Sequence, residues 1–358
     1  MKVDLLSLTP DAARAALQEW LAQRGEPEYR LRQVTPRLWQ RPVARWIEAT
    51  DLAVSLRTAL DETFPLRRLT LTTQQVSSDG TEKFLWVLDD GEAIESVLIP
   101  EGKRRTLCIS SQAGCALGCV FCATGRMGFR RNLSAGEIAA QVRELVLRDP
   151  ALKPTNVVFM GMGEPLLNWE AVDTTLTILN QPEGFGIGAR HITVSTVGIL
   201  PSLGKFAQRT EQFRLAVSLH APAPALRREL MPIDKKYTVP ELMKALRQFR
   251  RRVTLEYVLI GGKNDSLETA DQLAKLAQPL DALVNLLPLH PGGAPDLTPS
   301  PRAQMLAFER RLKQRGVEAV LRRSRGLDIS AACGQLRVEV EARARRGKIR
   351  AEQHAHIE

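Results

Sequence analysis

Cys115-Ala116-Leu117-Gly118-Cys119-Val120-Phe121-Cys122 is the stretch on which the reading of this chain turns. It follows a short β-forming run, Thr106–Ser110, and precedes a run of helical periodicity, Ala135–Arg148. The alternation then continues. β-forming runs at Asn156–Met160, His191–Ser195, Phe213–Ser218, Val253–Ile260 and Ala282–Leu287 alternate with helical runs at Trp169–Leu179, Leu200–Gln208, Val239–Arg251, Leu267–Ala277 and Pro301–Arg315. Six βα units imply an α/β fold with a parallel sheet and right-handed crossovers. Six are too few for a closed eight-stranded barrel, so a partial, open (βα)6 barrel is expected, with a further strand at Glu318–Arg323. Ligands then bind at the C-terminal strand ends. Those ends carry unusual clusters: Cys115–Cys122, Gly161–Pro165, Ser195-Thr196, Ser218–His220, Gly261–Asp265 and Pro288–His290. The fold would bring all of them to one mouth.

Upstream of the cysteines the pattern is different. Leu69–Gln75, Glu82–Asp89 and Ala93–Pro100 read as short strands of a small antiparallel sheet, with turns at Ser78-Asp79-Gly80 and Asp89-Asp90-Gly91. Residues 1–75 read as helical. Within them, Tyr29–Trp46 interleaves Arg30, Arg32, Arg37, Arg41 and Arg45 with Trp39 and Trp46, which we read as a small core displaying a basic face. The expected organisation is a helical accessory RNA-binding domain over 1–75, a β extension over 76–100, the partial barrel over 101–325, and a C-terminal segment over 326–358. That last segment carries Cys333 and a basic tail of Arg343, Arg345, Arg346, Lys348 and Arg350.

Composition narrows the class. The chain has 358 residues, enough for a substantial core without disulfide staples. A charged content of 25% is ordinary for a globular protein and excludes global disorder. No apolar run approaches the ~20 residues of a membrane span, and MKVDLLSLTP lacks the apolar core of a signal peptide. A cytosolic, cytoplasmic protein without a membrane partner is expected. The net charge of +10 points to a polyanionic partner, RNA or DNA, or else to arginines scattered over a solvated surface. Lys103, Arg104 and Arg105 before the cysteines, and Arg126, Arg130 and Arg131 after them, favour a nucleic acid.

Four of the five cysteines fall between positions 108 and 122. In a cytosolic chain such clustering points to metal or redox chemistry. Three thiolates spaced as Cys115, Cys119 and Cys122 can hold one face of an iron–sulfur cubane and leave the fourth iron open to a ligand. Structural zinc is the competing reading. It needs a fourth ligand, Cys108 or a distant His, and the spacing at a strand end favours the cluster.

The three-cysteine spacing resembles that of the radical S-adenosylmethionine (SAM) superfamily, whose enzymes combine a [4Fe-4S] cluster with a partial barrel. Four segments narrow the likeness: Ile94-Glu95-Ser96-Val97-Leu98-Ile99-Pro100, Cys108-Ile109-Ser110-Ser111-Gln112-Ala113-Gly114-Cys115, Gly161-Met162-Gly163-Glu164-Pro165-Leu166 and Ala331-Ala332-Cys333-Gly334-Gln335-Leu336. They resemble the RlmN/Cfr family of adenine-directed RNA methyltransferases, and the likeness runs from the helical region to Leu336. It implies that Cys115, Cys119 and Cys122 ligate the cluster. Gly163, Glu164, Ser195, Ser218, Leu219 and His220 match SAM-contacting positions, and His290 stands where the family usually has Asn. A His there offers one donor or one acceptor, not both amide functions.

The resemblance also implies a mechanism. Cys333 takes a methyl group from one SAM, its thiolate acting as nucleophile. A second SAM, cleaved by one electron, yields a 5′-deoxyadenosyl radical that removes hydrogen from that methyl. The resulting carbon radical adds to adenine carbon 2, which is too electron-poor to attack SAM itself. Glu95 is the base for release, and Cys108 attacks the Cys333 sulfur to form a disulfide, which needs Cα atoms within roughly 7 Å. Read without the family, Cys333 is equally a small buried hydrophobe, Glu95 a solvated strand residue, Gly161–Glu164 a strand-to-helix turn, and His220 a structural histidine. The implied substrates are an adenosine in the peptidyl-transferase centre of 23S rRNA and one beside the anticodon in tRNA. An external one-electron donor such as flavodoxin and a monomeric state go with this. Three alternatives stay open: methylation at carbon 8 by the same cysteines, another radical SAM activity such as a glycyl-radical activase, and a non-catalytic metal-bearing RNA-binding protein. The Cys108 and Cys333 pair argues against the activase.

Overall fold

A computed structural model describes residues 3–290, 294, 296–332 and 334–336. The chain opens with α1 (Pro10–Gln23), α2 (Tyr29–Val34) and α3 (Val54–Thr63). Pro10 takes the first turn of α1 and the Thr9 hydroxyl accepts the Ala12 N–H, so this helix starts where its capping residues dictate. Ala13, Leu17 and Leu21 from α1 bury against Leu31, Val34, Leu60, Trp39 and Trp46. Both tryptophans are core, as expected; of the five arginines, Arg32, Arg41 and Arg45 are exposed, whereas Arg30 and Arg37 are half-buried and paired with Glu26 and Asp51.

Strands β1 (Thr70–Val76), β2 (Glu82–Val87), β3 (Ala93–Glu101) and β4 (Arg104–Cys108) run antiparallel to one another. The first three do not form a separate sheet. β3 pairs with β4 across five registered positions, from Val97 opposite Cys108 to Glu101 opposite Arg104, around a tight turn whose Gly102 takes a left-handed φ of 57°. The barrel sheet is thereby lengthened. A two-stranded ribbon, β5 (Gln112–Gly114) and β6 (Phe129–Asn132), encloses the cysteine stretch and the short helix α4 (Ala123–Arg126).

Next come α5 (Ala135–Arg148), β7 (Asn156–Phe159), α6 (Trp169–Asn180), β8 (Ile192–Thr196), α7 (Leu200–Ala207), β9 (Arg214–Ser218), α8 (Pro224–Leu230), α9 (Val239–Leu246), β10 (Thr254–Leu259), α10 (Leu267–Ala277), β11 (Leu283–Pro288), α11 (Arg302–Gln314) and β12 (Ala319–Leu321). The ten strands of the main sheet lie in the order β1-β2-β3-β4-β7-β8-β9-β10-β11-β12. From β4 onward every pairing is parallel. The six predicted βα units and the seventh strand are present, and the sheet remains open.

The helical region is fastened to the barrel through α5. Arg143, 1% exposed, donates from Nε to the Leu38 carbonyl at 3.0 Å and from Nη2 to that of Val43. Burial pulls its pKa down to about 10. Arg68 forks onto both Glu144 oxygens at 2.6 Å. No helix among the described residues is long and apolar enough to cross a membrane.

Candidate active site

Register decides which side chains share the barrel interior. Lys83 lies opposite Val97, Val97 opposite Cys108, Cys108 opposite Val158 and Val158 opposite Thr193. Directly paired residues share a face, and so do residues two apart on a strand. Glu95 therefore joins Lys83 and Cys108. By the same rule Ser195, opposite Ala216, joins Ser218, which lies opposite Glu256, itself opposite Asn285. The other face, with Leu107, Val157, Val194, Val217 and Leu255, is fully buried. The helices cover that face, and the polar set looks inward.

Four backbone hydrogen bonds hold the cysteine loop, one of them within the loop itself. The Cys115 N–H donates to Gly128 at 3.0 Å, Cys122 to Cys119 at 3.1 Å, Val120 to Leu230 of α8 at 3.1 Å, and Ala123 to Gly334 at 2.7 Å. Gly125 lets the loop pack closely, since a Cβ there would stand 3.1 Å from the Cys119 nitrogen, a tight contact. Cys115 and Cys119 are buried and Cys122 is half-buried. Burial pushes the Cys115 thiol up to about 12 and the other two upward as well, and neighbouring thiols raise Cys115 and Cys119 further. Three such thiols lose their protons together only beside a compensating cation. An iron–sulfur cluster supplies that charge, so this donor set fits it. Among the described residues no three metal-binding side chains close tightly enough to chelate a single ion. The fit accordingly rests on the loop and its thiols.

At the end of β7, Gly163 has a φ of 99°, and a Cβ there would collide with Gln112 at 2.5 Å. Glu164 is buried. Its Oε1 accepts the Thr196 hydroxyl at 2.6 Å and the Leu166 N–H at 3.0 Å, and its Oε2 accepts the Val197 N–H at 2.9 Å. Three donors on about four acceptor positions leave one position on Oε2 for a ligand ammonium. Burial outweighs these bonds and pushes the carboxyl up to about 7. A carboxyl with an ordinary pKa of 4.5 that rises to about 7 on folding stabilises the fold most below pH 4.5. That contribution drains away as the pH climbs to 7. The melting-temperature difference between Glu164→Gln and wild-type apoprotein should therefore move in the variant's favour from pH 4.5 to 7 and then level off. A difference independent of pH would show an unperturbed carboxyl.

At the end of β9, Ser218 is half-exposed and Leu219 fully buried. His220 holds an uncommon left-handed φ of 58° and accepts the Val258 N–H on Nδ1 at 3.0 Å. With Nδ1 the acceptor, the neutral ring carries its proton on Nε2. Burial keeps it neutral, lowering its pKa to about 3. Its ring meets Phe121 of the cysteine loop edge-on at 4.6 Å. Ser195 is half-exposed on the interior face. His290, half-buried after β11, shares a 2.5 Å hydrogen bond between Nε2 and the Ser324 hydroxyl.

Sequence reasoning passed over several buried charges. Arg227 is fully buried, pairs with the equally buried Asp234 at 3.1 Å, and donates to the carbonyls of Val197 at 2.8 Å and Leu219 at 3.2 Å. It thus ties the ends of β8 and β9 together. Glu256 accepts from Asn285 at 2.9 Å inside the barrel. A lone carboxylate within the apolar run Val253–Ile260 was the available signal.

The C-terminal segment returns to this region. Asp328 accepts from the Ser77 hydroxyl at 2.5 Å and the Ser78 N–H at 3.0 Å, and Asp79 accepts the Gly326 N–H at 3.1 Å. Cys333 lies outside the described residues. Its neighbour Gly334 is the residue that accepts from Ala123 of the cysteine loop.

Known proteins share this arrangement. Residues 109–277 match the radical SAM superfamily. A protein of Gemmatimonas aurantiaca named "probable dual-specificity RNA methyltransferase RlmN" is 57% identical over 354 residues, covering 99% of this chain and 98% of that protein. This chain belongs to the RlmN family of radical SAM RNA methyltransferases. A second member, from Geobacillus kaustophilus, is 44% identical over 94% of this chain and 92% of its own length. The crystal structure of a radical SAM methyltransferase from Sphaerobacter thermophilus, 44% identical, superposes with a TM-score of 0.87 over 94% of this chain and 99% of that one. Membership in the RlmN family brings SAM and a [4Fe-4S] cluster with it, and it removes the activase and non-catalytic readings.

Proposed function

We propose that this enzyme methylates carbon 2 of an adenosine in the peptidyl-transferase centre of 23S rRNA and of one beside the anticodon in tRNA. The observation that carries the reading is the shared interior face, on which Glu95 and Cys108 stand with Ser195 and Ser218. The relatives' name, dual-specificity RNA methyltransferase, supports two RNA substrates.

In this reading Cys115, Cys119 and Cys122 hold the cluster, and Gly163, Glu164, Ser195, Ser218, Leu219, His220 and His290 line the SAM pocket. When bound, these groups supply the methyl carbon and a one-electron route to a hydrogen-abstracting radical. The residues do the rest. The Cys333 sulfur carries the methyl carbon, so that substrate and protein become one molecule. Glu95 takes the proton from carbon 2. Cys108, as its thiolate, attacks the Cys333 sulfur: a sulfur–sulfur bond forms, the carbon–sulfur bond breaks, and its electron pair stays on the released carbon, which takes up a proton to become the methyl group. The adduct's unpaired electron would leave by the same one-electron route. The N-terminal region over 1–75, helical as far as Thr63 and ending in most of β1, grips RNA phosphates in a salt-dependent way through exposed Arg32, Arg41 and Arg45. The target base leaves its stack to enter the barrel mouth. The β extension over 76–100 carries Glu95, the barrel over 101–325 the cofactors, and the segment over 326–358 Cys333. The enzyme works as a cytoplasmic monomer with a flavodoxin-type donor.

The test is anaerobic incubation of reconstituted enzyme with SAM, reductant and unmodified rRNA or tRNA, followed by mass spectrometry of the nucleosides. 2-Methyladenosine is expected from both RNAs. 8-Methyladenosine would instead place the enzyme with the carbon-8 branch.

A further inference from the structure

The strand face that carries Glu95 also carries a cation. Lys83 on β2 is 5% exposed, and its Nζ stands 3.7 Å from Oε1 of Glu95, which is 1% exposed. The same ammonium lies 3.4 Å from the Ser330 carbonyl, in the loop that Asp328 fastens to Ser77 and Ser78. A lysine so far from water needs its charge matched. The carboxylate matches it from one side and the carbonyl dipole from the other. No feature of sequence spacing links these three residues, since they come from β2, β3 and the C-terminal loop.

We propose that Lys83 is a positioning residue of methyl transfer, holding Glu95 ionised as the proton acceptor and tethering at Ser330 the loop that leads to Cys333. The proposal rests on Glu95 being the base. A buried carboxyl favours its neutral form, which cannot accept a proton, whereas an adjacent ammonium favours the ionised one. When the carbon 2–hydrogen bond breaks, its electron pair stays with the adenine, the proton passes to a Glu95 oxygen, and Lys83 remains charged throughout. The ammonium thus prepares the base before RNA arrives. Its second contact ties that base to the loop at Ser330.

A double-mutant cycle on the reconstituted full-length enzyme tests this. Lys83→Met, Glu95→Gln, the double variant and Lys83→Arg are compared with wild type. Three readouts are taken: methylated nucleoside, 5′-deoxyadenosine, and RNA-bearing protein on a denaturing gel. Lys83→Met is expected to slow methylation at least ~10-fold, a fraction of the usual worth of a general base. Within a single turnover, deoxyadenosine formation should change less than about twofold, and RNA-bearing protein should accumulate, because release waits on the proton. Lys83→Arg should recover part of the rate. The double variant should be no slower than Glu95→Gln alone. Multiplicative losses, or wild-type methylation by Lys83→Met, would overturn the proposal while leaving Glu95 as the base. Wild-type methylation by Glu95→Gln would overturn the base assignment, and this proposal with it. Iron content checks that each variant is folded, and Lys83→Gln replaces Lys83→Met should the latter fail to hold its cluster.

Discussion

Cys108→Ala is expected to arrest the enzyme with RNA joined to it through Cys333. Cys108 ends β4, 9% exposed, directly opposite Val97 and on the same face as Glu95. Its proposed task is to break the bond between the Cys333 sulfur and the methyl carbon. Alanine keeps the small volume and removes only the sulfur, so the steps before release remain. Turnover should fall by on the order of 10³-fold or more, as when a nucleophile is deleted elsewhere. A denaturing gel should show a protein band retarded by RNA, appearing only with SAM and reductant and collapsing after nuclease treatment. An unretarded band under those conditions would remove Cys108 from the release step.

Cys333→Ala is the second large effect. The variant should make no methylated nucleoside, because no sulfur remains to carry the methyl group. It should form no RNA-bearing protein, and the Cys108→Ala/Cys333→Ala double variant should form none either. Iron content and the visible absorption of the cluster should stay at wild-type levels, since the proposed ligands are Cys115, Cys119 and Cys122. Loss of the cluster in Cys333→Ala would mean that a ligand has been misassigned. Retained methylation would mean that the methyl carbon travels without the protein thioether.

Much of this molecule was legible in its sequence because the relevant signals are local. α5 and α10 have the bounds that periodicity gives them, Ala135–Arg148 and Leu267–Ala277. A capping box of Ser134 and Glu137 starts the first. The strand ends that bear Gly163, Ser195 and Ser218 fall where the alternation of β and α runs predicts. Periodicity extends α9 to Arg251, whereas the helix stops at Leu246. Arg251 turns back onto the Phe213 carbonyl at 3.0 Å, a tertiary bond that periodicity does not register. The ribbon of β5 and β6 was missed because three- and four-residue strands carry too few residues to show a period.

Polar residues inside strands were the harder class. Glu95 reads from its own strand as a solvated residue, yet it is 1% exposed beside Lys83. His220 reads as either a ligand or a structural histidine. The structure commits its Nδ1 to the Val258 backbone and leaves Nε2 as its other polar atom. His290, where the family usually has Asn, spends one ring nitrogen on Ser324.

By itself the sequence determined the element types, the parallel βα order and the three-thiol loop, since helix period, strand period and ligand spacing are written in neighbouring residues. The tertiary structure alone decided that β1–β3 extend the barrel sheet and that Lys83, Glu95 and Cys108 share its interior. Arg227 likewise joins two strand ends only once the chain is folded. Each of these depends on the register of segments far apart in the chain, where a shift of one residue would turn every side chain to the opposite face.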